Sequence, residues 1–169
     1  MFEQAKEVIA DRVEDGVRLF DAKLPMGLIT DWCQDEMGHI MAQKHCLCPK
    51  PTDLNCCKEG WRVCSVGSRF SNRAESNYSS TDGELTALVD GLEKTAYFPF
   101  GCDKLIVGTD HRPFIPIING SDLSSVKTPR QFRLREKLLR WNITAQYIPG
   151  KLLGGTDPLS RYGIREEAG

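Results

Sequence analysis

The stretch TDGELTALVDGLEKTAYFPFGCDKLIVGTD, residues 81–110, decides the fold class. Its first half sets Leu85, Leu88, Val89, Leu92 and Ala96 at i, i+3, i+4, i+7 spacing, the apolar stripe of a helix buried along one side. Its second half, residues 104–109 (KLIVGT), is an unbroken apolar run that suits a strand covered on both faces, as in a parallel sheet. A helix that leads straight into such a strand is the signature of a mixed α/β fold.

Upstream, residues 27–32 (GLITDW) read as a strand, and residues 38–44 form its hairpin partner after the polar turn Gln34-Asp35-Glu36. A cysteine-rich loop covers residues 46–60, and residues 61–69 (WRVCSVGSR) alternate as a third antiparallel strand. Downstream, Thr128-Pro129 pairs a capping hydroxyl with proline at the first helical position, predicting a helix to about Trp141. Residues 142–148 (NITAQYI) make the last strand, Pro149-Gly150 ends it, and a short terminal helix holds residues 157–161. At the other end, Phe2, Ala5, Val8, Ile9 and Val13 predict an amphipathic leader helix closed by Gly16, with turn residues at 21–25 marking a linker.

The 169 residues, 40% of them hydrophobic, support one core of ordinary size plus an appendage. With 22 basic and 23 acidic residues the net charge is -1, so bulk charge does not draw this chain to nucleic acid and a local patch has to do it. No apolar run approaches the ~18 residues of a membrane span, and the first residues are no signal peptide. The expectation is an intracellular, cytoplasmic protein without a membrane partner. Seven cysteines, an odd number, then read as reduced thiols. Cys33, Cys64 and Cys102 read as small core residues.

Four carboxylates, Asp31, Glu84, Asp110 and Asp157, stand beside apolar runs or in the first turn of a helix. A charge next to a core is costly unless a cation compensates it, so four of them suggest a shared metal site. Each has an ordinary alternative. Glu84 could complete a capping box with Thr81, Asp157 could cap the last helix, and Asp110 could be a strand-end turn residue. Asp31 is harder to explain this way, because it interrupts a strand whose Leu28 and Ile29 want a core. Their order, strand then helix then strand then helix, would gather them if the first and fourth strands are neighbours. An all-oxygen set suits Mg²⁺ or Mn²⁺, and two-metal phosphodiester cleavage uses such a set.

The strings LITDW, TDGELTALV, GTDHRPF and IPGKLLGGTDPLSR, in that order, resemble the ribonuclease H domain that follows reverse transcriptase in gypsy-type LTR retrotransposons. GSRFSNRAESNY and TPRQFRLREKLLRW match it as well. The resemblance covers residues 17–163, preceded by residues 1–16, similar to the end of the segment joining polymerase to ribonuclease H, and followed by a tail at 164–169. It implies a five-stranded mixed sheet of order 3-2-1-4-5 flanked by helices, and cleavage of the RNA strand of RNA/DNA hybrids to a 5′ phosphate and a 3′ hydroxyl. Asp31, Glu84, Asp110 and Asp157 would bind two Mg²⁺ (or Mn²⁺), the polymerase domain of the same polyprotein would be a partner, and a virus-like particle would be an alternative location to the cytoplasm. Trp32 stands where many members have a small residue, and residues 150–156 lack the histidine that many relatives carry before the last acid.

A hybrid needs a surface as well as a site. Between Lys127 and Lys151, seven basic residues face a single acid, and on the helix Arg130, Arg133, Lys137 and Arg140 fall along one side, a row able to track phosphates. Such a row can also be a solvated face. Lys151 closes the basic stretch, and by resemblance Ser80, Thr81 and His111 would lie near the cleaved strand; the ordinary alternative for His111 is a strand-end residue bonded to a backbone carbonyl. Cys46, Cys48, Cys56 and Cys57 could hold structural zinc, but their spacing is not the usual C-x₂-C and reduced thiols are the default. The competing functions are a non-catalytic scaffold that binds nucleic acid or a partner protein, and a zinc-stabilised binding module. No Tyr-x-Asp-Asp string is present, so polymerase activity is not expected.

Overall fold

The computed structural model describes residues 20–49, 54, 60–120 and 124–148. The leader helix, the boundary at residue 16, the terminal helix with Asp157, and the tail lie outside them. Five strands form one sheet: β1 Met26–Trp32, β2 Glu36–Lys44, β3 Trp61–Phe70, β4 Leu105–Thr109 and β5 Ile143–Tyr147. Its order is β3-β2-β1-β4-β5, antiparallel from β1 to β3 and parallel from β1 through β4 to β5. This is the mixed sheet implied above. Three helices accompany it, α1 Ser80–Lys94, α2 Phe114–Asn119 and α3 Pro129–Leu138, with a 3₁₀ turn at Glu75–Asn77.

The core lies between the sheet and α1. Leu85, Leu88, Val89 and Leu92 meet Met26, Leu28, Met41, Leu105 and Val107 from the strands and Phe114, Ile117 and Leu138 from the other helices. Each such side chain contributes about 1.5–3 kcal/mol on burial, well above the tenths of a kcal/mol per residue from helix propensity, so packing decides where α1 lies. Strand alternation then sorts β1. Met26, Leu28, Thr30 and Trp32 face α1, and Gly27, Ile29 and Asp31 face the other way. On that second face Leu54, from the loop between β2 and β3, lies against Gly27 and Gly108, and its N–H donates to Gln146 Oε1 at 3.3 Å.

Arg69 on β3 clamps two further segments. Its guanidinium donates to both Glu75 oxygens (2.7 and 2.8 Å) and to Asp90 of α1 at 2.8 Å. The paired guanidinium holds the Glu75 carboxyl below its ordinary pKa, more than burial raises it.

Several element bounds differ from expectation. β2 starts at Glu36, inside the expected turn, because the Cys33 N–H donates to the Glu36 carbonyl at 2.8 Å and tightens the turn. α1 begins at Ser80 and not at Thr81: Ser79 is its cap, its hydroxyl accepting from the Asp82 N–H at 3.2 Å. Glu84 is therefore not the capping-box partner of Thr81. Ala96 lies beyond the end of α1, and α3 stops at Leu138, which leaves Arg140 in the following turn and off the helical row. α2 was hidden by its composition, FIPIIN, a short apolar run with an internal proline. Cys33 is exposed and not a core residue, whereas Cys64 and Cys102 are half-buried against the core.

Candidate active site

Parallel pairing of β1 with β4 runs from Met26 opposite Leu105 to Ile29 opposite Gly108. Two residues further along the same register, Asp31 stands beside Asp110, on strands about 4.8 Å apart. Both are exposed at the strand ends, so neither is the buried charge that the apolar neighbours of Asp31 suggested. The burial falls on Glu84, in the opening turns of α1, which is 8% exposed.

Burial, then the negative charges of Asp31 and Asp110, pushes the Glu84 carboxyl up from 4.5 to about 8, against a lowering by the Trp32 N–H. Enclosure and the Asp110 charge also raise Asp31 above its ordinary 3.8. Three carboxylates thus repel one another, and the contribution that opposes the repulsion comes from a backbone N–H. In donor chemistry and in charge this set fits a hard divalent cation. Among the described residues no three His, Cys, Asp or Glu side chains close into a ready-made metal cage. Asp157, the expected fourth acid, lies outside those residues.

The turn that carries Glu84 is tied to a different element at each position. The Thr81 hydroxyl is 2.9 Å from His111 Nε2, just after β4, and the His111 N–H donates to Thr109 Oγ1 at 3.1 Å. His111 is therefore held by a side-chain hydroxyl and not by a backbone carbonyl. Asp82, 5% exposed, accepts from Gln131 Nε2 at 2.8 Å and from an Arg130 guanidinium nitrogen at 3.2 Å, both on α3. Gly83 faces the Trp32 indole so closely that a Cβ there would lie 2.1 Å from Trp32 Cδ2. Trp32, pointing away from Asp31 as strand alternation requires, is accommodated only because residue 83 has no side chain.

The cationic row is divided. Arg130 pairs with Asp82 and stacks over the Tyr78 ring at 4.1 Å, so its charge is largely engaged within the protein. Lys137 meets Glu93 at 3.7 Å on the surface, a weak pairing. Arg133 and Arg140 are exposed and make no ion pair among the described residues. Arg135 turns inward instead and donates to the carbonyls of Ile117 and Gly120 at the end of α2. Ser80 is exposed at the start of α1. Lys151 lies outside the described residues, as do Cys56 and Cys57 of the expected zinc set, while Cys46 and Cys48 are partly buried. No helix among the described residues is long and apolar enough to cross a membrane.

Asp82, Gln131 and Tyr78 were not singled out by sequence reasoning. Asp82 reads as an ordinary acid favouring a helix N-terminus, and nothing in the local pattern pairs it with a glutamine 49 residues away.

Comparison with known proteins gives a consistent result. The family model described as the RNase H-like domain found in reverse transcriptase matches residues 21–141. The Drosophila melanogaster Pol polyprotein of transposon 412 is 34% identical over 102 residues, 60% of this chain and 8% of that protein. The polyprotein of transposon gypsy, from the same organism, is 26% identical over 165 residues, 96% of this chain and 14% of its own length. The chain thus spans only a small part of these relatives. Among solved structures, the foamy viral protease-reverse transcriptase in complex with an RNA/DNA hybrid aligns at TM-score 0.55 and 12% identity, covering 88% of this chain and 19% of that one. LC11-RNase H1, also in complex with RNA/DNA hybrid, aligns at 0.52 and 14% identity over 80% of this chain and 91% of that one. The likeness to these structures is one of fold. With a family model matched over most of its length, the chain belongs to the RNase H-like domains found in reverse transcriptase.

Proposed function

We propose that this chain is the ribonuclease H domain of a retrotransposon Pol polyprotein, and that it hydrolyses the RNA strand of RNA/DNA hybrids made by the accompanying polymerase. The observation that carries the reading is the juxtaposition of Asp31 and Asp110 on adjacent parallel strands with Glu84 close enough for both charges to act on its proton. In this reading Asp31, Glu84 and Asp110, with Asp157 from the C-terminal segment, would hold two Mg²⁺ or Mn²⁺ ions. When bound, such ions supply Lewis acidity at the attacking water and at the departing 3′ oxygen.

The chain's own residues set the conditions for the reaction. Asp31 and Asp110 are open to solvent and so to a phosphate, while Glu84, held protonated near neutral pH by burial and then by the charges of Asp31 and Asp110, must give up its proton to act as a ligand. Water adds its oxygen to the scissile phosphorus and the bond from phosphorus to the 3′ oxygen breaks. One water proton ends on that oxygen, leaving a 3′ hydroxyl and a 5′ phosphate, with no covalent bond to the protein. Arg133, Lys137 and Arg140 offer sequence-independent phosphate contacts, and Thr81 with His111 lies at the edge of the acids.

The test is incubation of the 169-residue chain with end-labelled RNA/DNA hybrid, duplex RNA and duplex DNA, each with Mg²⁺ or with EDTA. Cutting of the hybrid RNA alone, only with Mg²⁺, is expected. A hybrid that is bound but stays intact with Mg²⁺ and with Mn²⁺ at enzyme excess would favour a non-catalytic scaffold and overturn the proposal.

A further inference from the structure

We propose that Asp82, Gln131 and Arg130 form a positioning latch that fixes the phosphate-facing helix α3 relative to the acid cluster. The inference rests on the function proposed above and concerns how that site receives its substrate. Asp82 and Gln131 are each 5% exposed, and their 2.8 Å bond joins residues 49 apart in sequence. The second half of the Gln131 amide faces the other way: its Oε1 accepts from the Lys127 N–H at 2.9 Å, ahead of the Thr128 cap. One amide therefore ties the entry of α3 to the first turn of α1, two residues before Glu84. Arg130 closes the cluster from outside, bonded to Asp82 at 3.2 Å and seated over the Tyr78 ring.

A buried carboxylate bonded to an amide and a half-exposed arginine is a poor means of adding stability, since apolar residues of similar volume would serve as well or better. Its distinguishing property is direction. The Gln131 amide bonds one carboxylate oxygen and a single Arg130 nitrogen the other, which together fix the placement of the carboxylate, whereas apolar contacts tolerate sliding. Arg133 and Lys137 follow within two turns of α3, so the latch sets their distance from Asp31, Glu84 and Asp110. A hybrid anchored on those cations then presents its phosphate to the acids. Asp82, Gln131 and Arg130 are on this view positioning residues, and Arg130 is not primarily a phosphate contact.

The experiment compares the wild-type chain with Asp82→Ala, Asp82→Asn, Gln131→Ala and the double alanine variant. Three properties are read for each: amide exchange over residues 127–133, hybrid affinity in EDTA, and single-turnover cleavage with Mg²⁺ at saturating protein. Faster exchange in the alanine variants, affinity in EDTA within about twofold, since nonspecific phosphate contacts survive, and cleavage slowed about tenfold or more are expected. Asp82→Asn, which still accepts from Gln131, retains more activity than Asp82→Ala. The double variant is no worse than either single one, because both break the same interaction. Unchanged exchange, or cleavage at the wild-type rate in Asp82→Ala, overturns the latch. Should the wild-type chain leave hybrid uncut, the functional reading fails while the exchange data still decide the latch.

Discussion

Among the described glycines Gly83 has the closest neighbour, and its replacement by alanine should change stability with an unusual sign. Replacing glycine by alanine inside an exposed stretch of helix normally stabilises by about 0.5–1 kcal/mol, because alanine loses less backbone freedom on folding. At residue 83 the added methyl would lie 2.1 Å from Trp32 Cδ2 and 2.5 Å from Cε2 and Cε3. Ordinary carbon contacts need about 3.5–4.0 Å, so the indole or the helix must give by more than about 1 Å. Overpacking of this kind costs about 1–3 kcal/mol, which outweighs the propensity gain and leaves Gly83→Ala less stable by about 1–2 kcal/mol. Equilibrium urea unfolding in EDTA measures it. The same methyl added to Trp32→Ala should be harmless or stabilising, so the double-mutant cycle should show a coupling of about 2 kcal/mol. If Gly83→Ala raises stability by about 0.5–1 kcal/mol in the wild-type background, the claim that α1 is seated on Trp32 is wrong.

Two other perturbations read electrostatics. Lifting Glu84 from 4.5 to about 8 corresponds to about 5 kcal/mol favouring its protonated form as a ceiling, of which local water entry should leave about 2–4 kcal/mol measurable. Because the folded value lies above the unfolded one, that stability is fully present below about pH 4.5 and lost as pH rises through 8. Urea titrations in EDTA at pH 5 and 9 should show wild type falling by about this amount relative to Glu84→Gln, and parallel pH profiles for the two would rule out a buried, repelled Glu84. Arg69→Met strands Glu75, 7% exposed, without its bidentate partner and should cost about 2–4 kcal/mol in thermal or urea unfolding at pH 7. Adding Glu75→Gln should recover part of it, and a full-cost double variant would mean the Arg69 contribution lies elsewhere.

What the sequence made legible follows its periodicities. The stripe Leu85, Leu88, Val89, Leu92 and the run at 104–109 located α1 and β4. That Asp31 comes beside Asp110 was legible only on the condition that the first and fourth strands are neighbours, and the parallel pairing of β1 with β4 meets that condition. Helix ends were less legible, because a cap is a choice among neighbouring hydroxyls: Ser79, not Thr81, caps α1, which leaves the Thr81 hydroxyl for His111. Long-range polar pairs had no local signal at all. The Asp82 bonds to α3 depend on packing of α1 against α3, and the basic row, read as equivalent by spacing, is split by that packing into an Arg130 paired with Asp82 and an Arg133 and Arg140 that make no ion pair among the described residues. Trp32 was legible as a departure from the family pattern, but its accommodation was not, since it depends on a glycine 51 residues later coming opposite its ring.

In the proposed function the acids at the ends of β1 and β4, with Glu84, cut RNA paired to DNA. Single-turnover cleavage of a labelled RNA/DNA hybrid by the wild-type chain and by Asp110→Asn, alongside hybrid affinity in EDTA, tests it most directly. Mg²⁺-dependent cutting by wild type is expected, and for Asp110→Asn a loss of about a thousandfold or more with affinity retained, because the change removes a ligand charge and leaves the phosphate contacts. Cleavage by Asp110→Asn at the wild-type rate, or an intact hybrid with the wild-type chain, would contradict it.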